Sequence, residues 1–149
     1  MPDDIPLSAD EARELRAFAG TMISASARYG VPGADDEAIF ADIVKSLGRD
    51  RGDVGSALKR LATLAGGSFA QLAGERRLEV ANSFRAEGGP APATIARVIL
   101  LCYYRDDRVM LSLGQEPRPP FPKGHTVEQG DWSLLDPVKA RQPFYRRVT

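Results

Sequence analysis

The chain has little of what reactive or membrane-bound proteins need. Its 149 residues include one histidine, one cysteine and one tryptophan, and 20 acidic side chains balance 20 basic ones. A single cysteine excludes an intramolecular disulfide, and one histidine with one cysteine cannot form a histidine-rich metal site. Zero net charge gives no strong field to attract phosphate backbones, so we expect no nucleic-acid binding. No apolar run approaches the roughly 20 residues that span a bilayer, so we expect no membrane insertion.

What is present indicates helices. Ser8 to Glu11 has the form of a capping box, and an apolar stripe at helical spacing follows it to about Arg28. Further helices are predicted over about 37–47, 53–65, 75–86, 92–104 and 107–113, with a short helical turn at 68–72, and most of the breaks between them hold glycine or proline. On the helix over 75–86, Leu78 is expected to face inward. No strand alternation or repeat is visible. The sequence therefore predicts an all-α fold, a small bundle of about six helices over residues 1–114.

Residues 115–149 read differently, because six of the eleven prolines lie there. Pro117, Pro119, Pro120 and Pro122 favour extended backbone and block helix formation. Aromatic and leucine side chains make the segment unlike a typical disordered tail. We therefore predict an extended proline-rich C-terminal arm that orders against a partner, with folding back onto its own helices as the alternative. The predicted partner-binding residues are Tyr103, Tyr104, Pro119, Pro120, Phe121, Pro122, His125, Trp132, Leu134, Leu135 and Pro137.

Two of these predictions carry alternatives. Tyr103 and Tyr104 are neighbours on one helix and point to different faces, so we expect one in the core and one at an interface. His125 is either an interface hydrogen-bonding group, a group that points into a partner's active site, or an exposed loop histidine. No residue is assigned a catalytic, cofactor-binding or metal-binding role.

Catalytic constellations are scarce. Cys102 lies in the apolar run ARVILLCYY, which indicates a small buried hydrophobic residue rather than a reactive thiolate. The paired acids Asp35-Asp36 and Asp106-Asp107 are interpreted as helix caps, with a carboxylate site as the alternative. A stable helical body without a reactive cluster suits a binding or accessory subunit better than an enzyme.

Three stretches carry a family resemblance: LSADEARELRAFAGTMI, FAQLAGERRLEVANSF and LLCYYRDDRVMLSLG. In these patches the chain resembles the gluconate 2-dehydrogenase subunit 3 family, and the tail RPPFPKGHTVEQGDWSLLDPVKAR looks like tails of family members. The resemblance implies a small helical subunit that accompanies a flavin-dependent oxidoreductase of the glucose-methanol-choline type. It also implies that the large subunit carries FAD and the catalytic residues, and that some complexes add a cytochrome c subunit.

Exported members of that family carry a twin-arginine signal, which the acidic start MPDDIPLSADEAREL lacks. We therefore expect a cytoplasmic complex, or a periplasmic one if a signal is removed or is supplied by the partner. The sequence predicts a non-catalytic subunit that stabilises and wraps an alcohol or sugar oxidoreductase. The alternatives are a stand-alone helical adaptor with a proline-rich binding tail, and a small enzyme that uses carboxylates.

Overall fold

The computed structural model describes residues 6–142, and within that range its regular structure is helical, as predicted. The chain divides between Pro117 and Arg118 into two units, which we call the body and the arm. The body contains α1 (Ala9–Met22), α2 (Glu37–Lys45), α3 (Arg51–Ala65), α4 (Gly74–Glu87), α5 (Pro90–Tyr103) and α6 (Asp107–Ser112). Short 3-10 turns precede α3 at Gly48–Asp50 and α4 at Phe69–Gln71. The predicted bundle of about six helices is therefore confirmed for the body.

Capping residues fix where several of these helices begin and end. The Ser8 hydroxyl accepts the Glu11 N–H at 3.2 Å, and the Glu11 carboxylate accepts the Ser8 N–H at 2.9 Å. This is the predicted capping box, and it satisfies two of the N–H groups that a helix start leaves unpaired. Asp36 caps α2 in a similar way. Gly66 ends α3 with a φ of +71°, in the left-handed region. Glycine adopts this conformation readily, whereas residues with a side chain rarely do.

The core of the body lies where α3 packs against α4 and α5. Phe18 from α1 meets Phe69 and Phe84 edge to face, with ring centroids 5.9 and 5.7 Å apart. Burial of each large apolar side chain contributes about 1.5–3 kcal/mol, so this cluster is a main source of stability. The most fully buried of the large side chains are Leu15, Ile39, Ile43, Val54, Leu61, Phe69, Phe84, Ile95, Ile99, Cys102 and Val109.

Two local predictions were wrong. Helix α1 ends at Met22 and not near Arg28, because the chain turns back after Ile23. The Ala34 N–H donates to the Ile23 carbonyl at 2.9 Å, and Ser26 pairs with Val31 in an isolated antiparallel bridge. These hydrogen bonds replace the ones that further helical turns would make.

Leu78 on α4 was expected to face inward, but its side chain is 53% exposed. The inward positions are Val80 and Phe84, which are four residues apart and therefore on one face. The stripe of Leu78 and Ala81 lies beside that face. Leu78 consequently stands at the surface of the body.

The arm also departs from the prediction of a wholly extended segment. Its residues 132–139 form a 3-10 turn, Trp132–Leu135, that runs into a short helix, α7 (Asp136–Lys139). Asp131 caps the turn and Pro137 lies in the first turn of α7, where a missing N–H costs nothing. We call residues 132–139 the arm helix. Among the described residues, no helix is both long and apolar enough to cross a membrane.

Candidate partner-binding surfaces

The two adjacent tyrosines separate as the sequence predicted. Tyr103 is 5% exposed, and its hydroxyl donates to the Pro32 carbonyl at 3.2 Å, which holds the 23–34 loop against α5. Burial raises the pKa of the Tyr103 hydroxyl. Tyr104 is 53% exposed and its ring stands nearly perpendicular to that of Tyr103. Tyr103 is therefore part of the core, whereas Tyr104 is exposed at the surface, and the partner-binding role of both stays a prediction.

The proline-rich part of the arm forms a turn around Phe121. The Arg118 guanidinium donates to the Gly124 carbonyl at 2.5 Å, and the Gly124 N–H donates to the Pro120 carbonyl. Gly124 has a φ of +68°, which glycine adopts without strain. Phe121 stands on this turn with 86% of its surface exposed. The predicted residues Pro119, Pro120, Pro122 and His125 flank it and are exposed as well.

The arm helix collects the other predicted arm residues. The Asp131 carboxylate accepts the Ser133 N–H at 3.0 Å and the Ser133 hydroxyl at 2.6 Å, and these hydrogen bonds lower the pKa of Asp131. Lys139 pairs with Asp136 at 3.3 Å. The exposed apolar side chains of the arm helix are Trp132 (62% exposed), Leu134 (73%), Leu135 (41%) and Val138 (56%). Trp132, Leu135 and Val138 are spaced three residues apart, which places these three along one side of the helical segment.

Sequence reasoning missed a groove on the body between α1, α4 and α5, with a volume of about 390 Å³. We call it the body groove. Phe18 and Phe84 lie at its base, and the exposed side chains of Leu78 and Leu100 line it as well. One signal was visible in the sequence, since α5 reads as apolar almost all round, which indicates a helix that is either central in the core or shared with a partner. The lining residues are Phe18, Thr21, Met22, Leu78, Ala81, Asn82, Phe84, Arg85, Pro92, Ala96 and Leu100.

The paired acids serve as structural caps, in line with our interpretation. Asp36 and Asp106 are the N-caps of α2 and α6, and both bind the Arg108 guanidinium. These hydrogen bonds from Arg108 lower the pKa of both carboxyl groups. Asp42 is held in the same way by Arg105, at 2.5 Å. Each of these carboxylates is already engaged by an arginine.

The single cysteine is buried as expected. Cys102 is 2% exposed, and burial raises the pKa of its thiol even though the Arg105 guanidinium lies 3.6 Å away. Within residues 6–142, no three His, Cys, Asp or Glu side chains cluster in a way that would hold a metal ion. The features that stand out among the described residues are apolar: the exposed apolar side chains of the arm and the body groove.

Comparison with family models, with curated proteins and with solved structures finds no match for this chain.

Proposed function

We propose that this chain is a non-catalytic small subunit that binds and stabilises the large subunit of an FAD-dependent alcohol or sugar oxidoreductase. One observation carries the binding role: the arm exposes large apolar side chains close together in sequence. Phe121 is 86% exposed, Val127 82%, Trp132 62% and Leu134 73%. Isolated exposed apolar residues are ordinary, but aromatic anchors grouped on short structured segments are typical of interface hot spots.

The class of partner follows from the sequence resemblance. The stretches FAQLAGERRLEVANSF and LLCYYRDDRVMLSLG resemble a family of small subunits that accompany flavoproteins of the glucose-methanol-choline type. In this proposal the large subunit holds FAD and performs the chemistry, and a cytochrome c subunit is a candidate third component.

The arrangement suits stabilisation of a partner more than catalysis of its own. A subunit that binds only the folded state of another protein shifts that protein's folding equilibrium towards the folded state. In this proposal the arm and the body bind the large subunit, and the free energy of binding stabilises its fold. The arm's turn and capped helix pre-order their apolar side chains. That ordering lowers the entropy lost when the anchors are immobilised at an interface.

The test is co-expression of this chain with a flavoprotein of the glucose-methanol-choline type from the same genome, followed by size-exclusion chromatography. We expect one peak that contains both polypeptides in fixed ratio and absorbs as a flavin. We also expect the flavoprotein alone to lose activity faster on warming than the complex. Two separate peaks at micromolar concentration would refute the proposal.

A second candidate is a stand-alone adaptor, and one observation favours it. Pro117 and Pro120 have the P-x-x-P spacing that polyproline-binding domains read, and residues 115–131 contain no helix. Substitution of both prolines by alanine separates the two candidates. An adaptor would lose its partner, whereas a subunit anchored by Phe121 and Trp132 would keep it.

A further inference from the structure

The body groove is an apolar feature of the body that the proposed role of the arm leaves unused. Helix α5 contributes Pro92, Ala96 and Leu100, which are spaced four residues apart and so form one stripe. At 1.5 Å per residue this stripe is about 12 Å long, the length of roughly two helical turns. Tyr104, four residues beyond Leu100, continues the stripe. The groove therefore offers an apolar track of defined length.

Small side chains give the groove its depth. Ala81 of α4 and Ala96 of α5 are half-buried, and the larger Leu78 and Leu100 lie on the same two helices with 53% and 37% of their surfaces exposed. Small-molecule sites bury most of the ligand surface, which a groove lined by such exposed side chains does not do. An open apolar track between helices instead matches the mode in which an amphipathic helix lies in a groove.

The groove carries a single positive charge among its lining residues. Arg85 is the only charged residue among those that line it, and no acidic residue lines it. Among the described residues, neither the Arg85 guanidinium nor the Asn82 side-chain amide has a hydrogen-bond or ion-pair partner. By contrast, Arg76 on α4 pairs with Glu79, and Arg60 on α3 pairs with Glu87. A carboxylate on the incoming segment would complement this arginine.

We infer that the body groove receives an amphipathic helix of the large flavoprotein subunit, with its apolar side chains over Ala81 and Ala96 and a carboxylate against Arg85. This inference rests on the proposed function and deepens it by assigning the body a contact surface of its own. The subunit then holds its partner at two places, by the groove and by the arm. Tyr104 extends the first of these contacts.

The test measures the dissociation constant of the purified chain with the flavoprotein for matched variants. Leu100→Asp should weaken binding by on the order of tenfold or more, and Arg85→Gln by roughly fivefold. The controls are Leu111→Asp and Arg49→Gln, which alter exposed residues that do not line the groove. We expect both controls to bind as the unaltered chain does. If Leu100→Asp loses helical content, Leu78→Asp takes its place.

The outcomes are distinguishable. Groove variants that bind normally, alongside an arm variant that does not, would overturn this inference and leave the proposed function standing. Failure of the unaltered chain to bind the flavoprotein would overturn both. A chain that dimerises by itself, and stops doing so in Leu100→Asp, would show that a second copy occupies the groove and that the inference is wrong.

Discussion

The Arg108 guanidinium binds the Asp36 carboxylate at 2.7 Å, although 72 residues separate them in the chain. The same guanidinium binds Asp106 at 3.0 Å. Asp36 and Asp106 are the N-caps of α2 and α6, so one cation joins the starts of two helices. The short helix α6, which precedes the arm in sequence, is thereby tied to α2.

Removal of that cation should therefore cost stability. We expect Arg108→Ala to lower the free energy of unfolding by about 1 kcal/mol, the upper part of the range for partly exposed ion pairs, because two carboxylates lose their partner at once. Urea denaturation followed by circular dichroism measures it. Arg76→Ala removes an exposed pair within α4 and should change stability by less than about 0.5 kcal/mol. Equal effects of the two substitutions would contradict this assignment.

Stability should also fall in acid. Hydrogen bonds from Arg108 lower the pKa of Asp36 and Asp106 below the ordinary aspartate value of 3.8, and a hydrogen bond from Arg105 lowers that of Asp42. A carboxyl group whose pKa is lower in the folded state stabilises the fold above its unfolded pKa and loses that contribution as the pH falls through the folded value. We expect the free energy of unfolding to be level above about pH 5 and to decline below it.

Asp36→Asn is the matched variant for this pH dependence, because asparagine also caps helices but does not titrate. Its stability should decline less steeply than that of the unaltered chain between about pH 5 and pH 3. Urea denaturation at each pH measures both slopes. Identical slopes would show that the pair of Arg108 and Asp36 contributes nothing to acid sensitivity.

The thiol of Cys102 should be unreactive in the folded chain. It is 2% exposed and burial raises its pKa, so little thiolate is present to attack a disulfide reagent. We expect the Ellman reagent to modify it at neutral pH only as fast as the chain unfolds, and at once in denaturant. Complete modification of the folded chain within seconds would place the thiol at the surface instead.

The body should fold without the arm. The buried hydrophobic core lies between Leu15 and Val109, and every described residue of the arm beyond Arg118 is exposed. We expect a chain that ends at Pro117 to unfold cooperatively, with a free energy of unfolding within about 0.5 kcal/mol of the full chain. Chemical denaturation of both forms measures this. Loss of a cooperative transition would mean that the arm is part of the fold.

The helical body could be predicted from the sequence wherever a local signal fixes an element. Ser8, Asp36 and Asp106 cap helices as predicted, and Gly66 ends α3, because caps and left-handed glycines act over one turn of chain. The end of α1 could not be predicted, since it depends on hydrogen bonds from Ala34 across the following loop. Such contacts have no local signature.

The candidate surfaces also differ in whether a local signal in the sequence predicts them or contacts between distant residues determine them. Phe121 and Trp132, which the sequence predicts as partner-binding residues, are both exposed, and their binding role stays a prediction. The sequence analysis missed the arm helix because the prolines at 117–122 indicated an extended segment. The local signals for the helix are Asp131, which caps it, and Pro137, which lies in the first turn of α7 where proline is tolerated. The body groove was missed because three helices distant in sequence form it, and the outward position of Leu78 depends on how α4 is rotated in the bundle.

The most direct test of the account is the dissociation constant of this chain with the flavoprotein, measured for the unaltered chain and for the double variant Phe121→Ala/Trp132→Ala. The account predicts binding at least about 30-fold weaker for the variant, with unchanged far-ultraviolet circular dichroism, because two hot-spot anchors are lost while the helices remain. The control Leu111→Ala/Leu113→Ala, which truncates two exposed leucines of the body, should bind normally. Unchanged affinity of the double variant would contradict the central claim that the arm grips the partner.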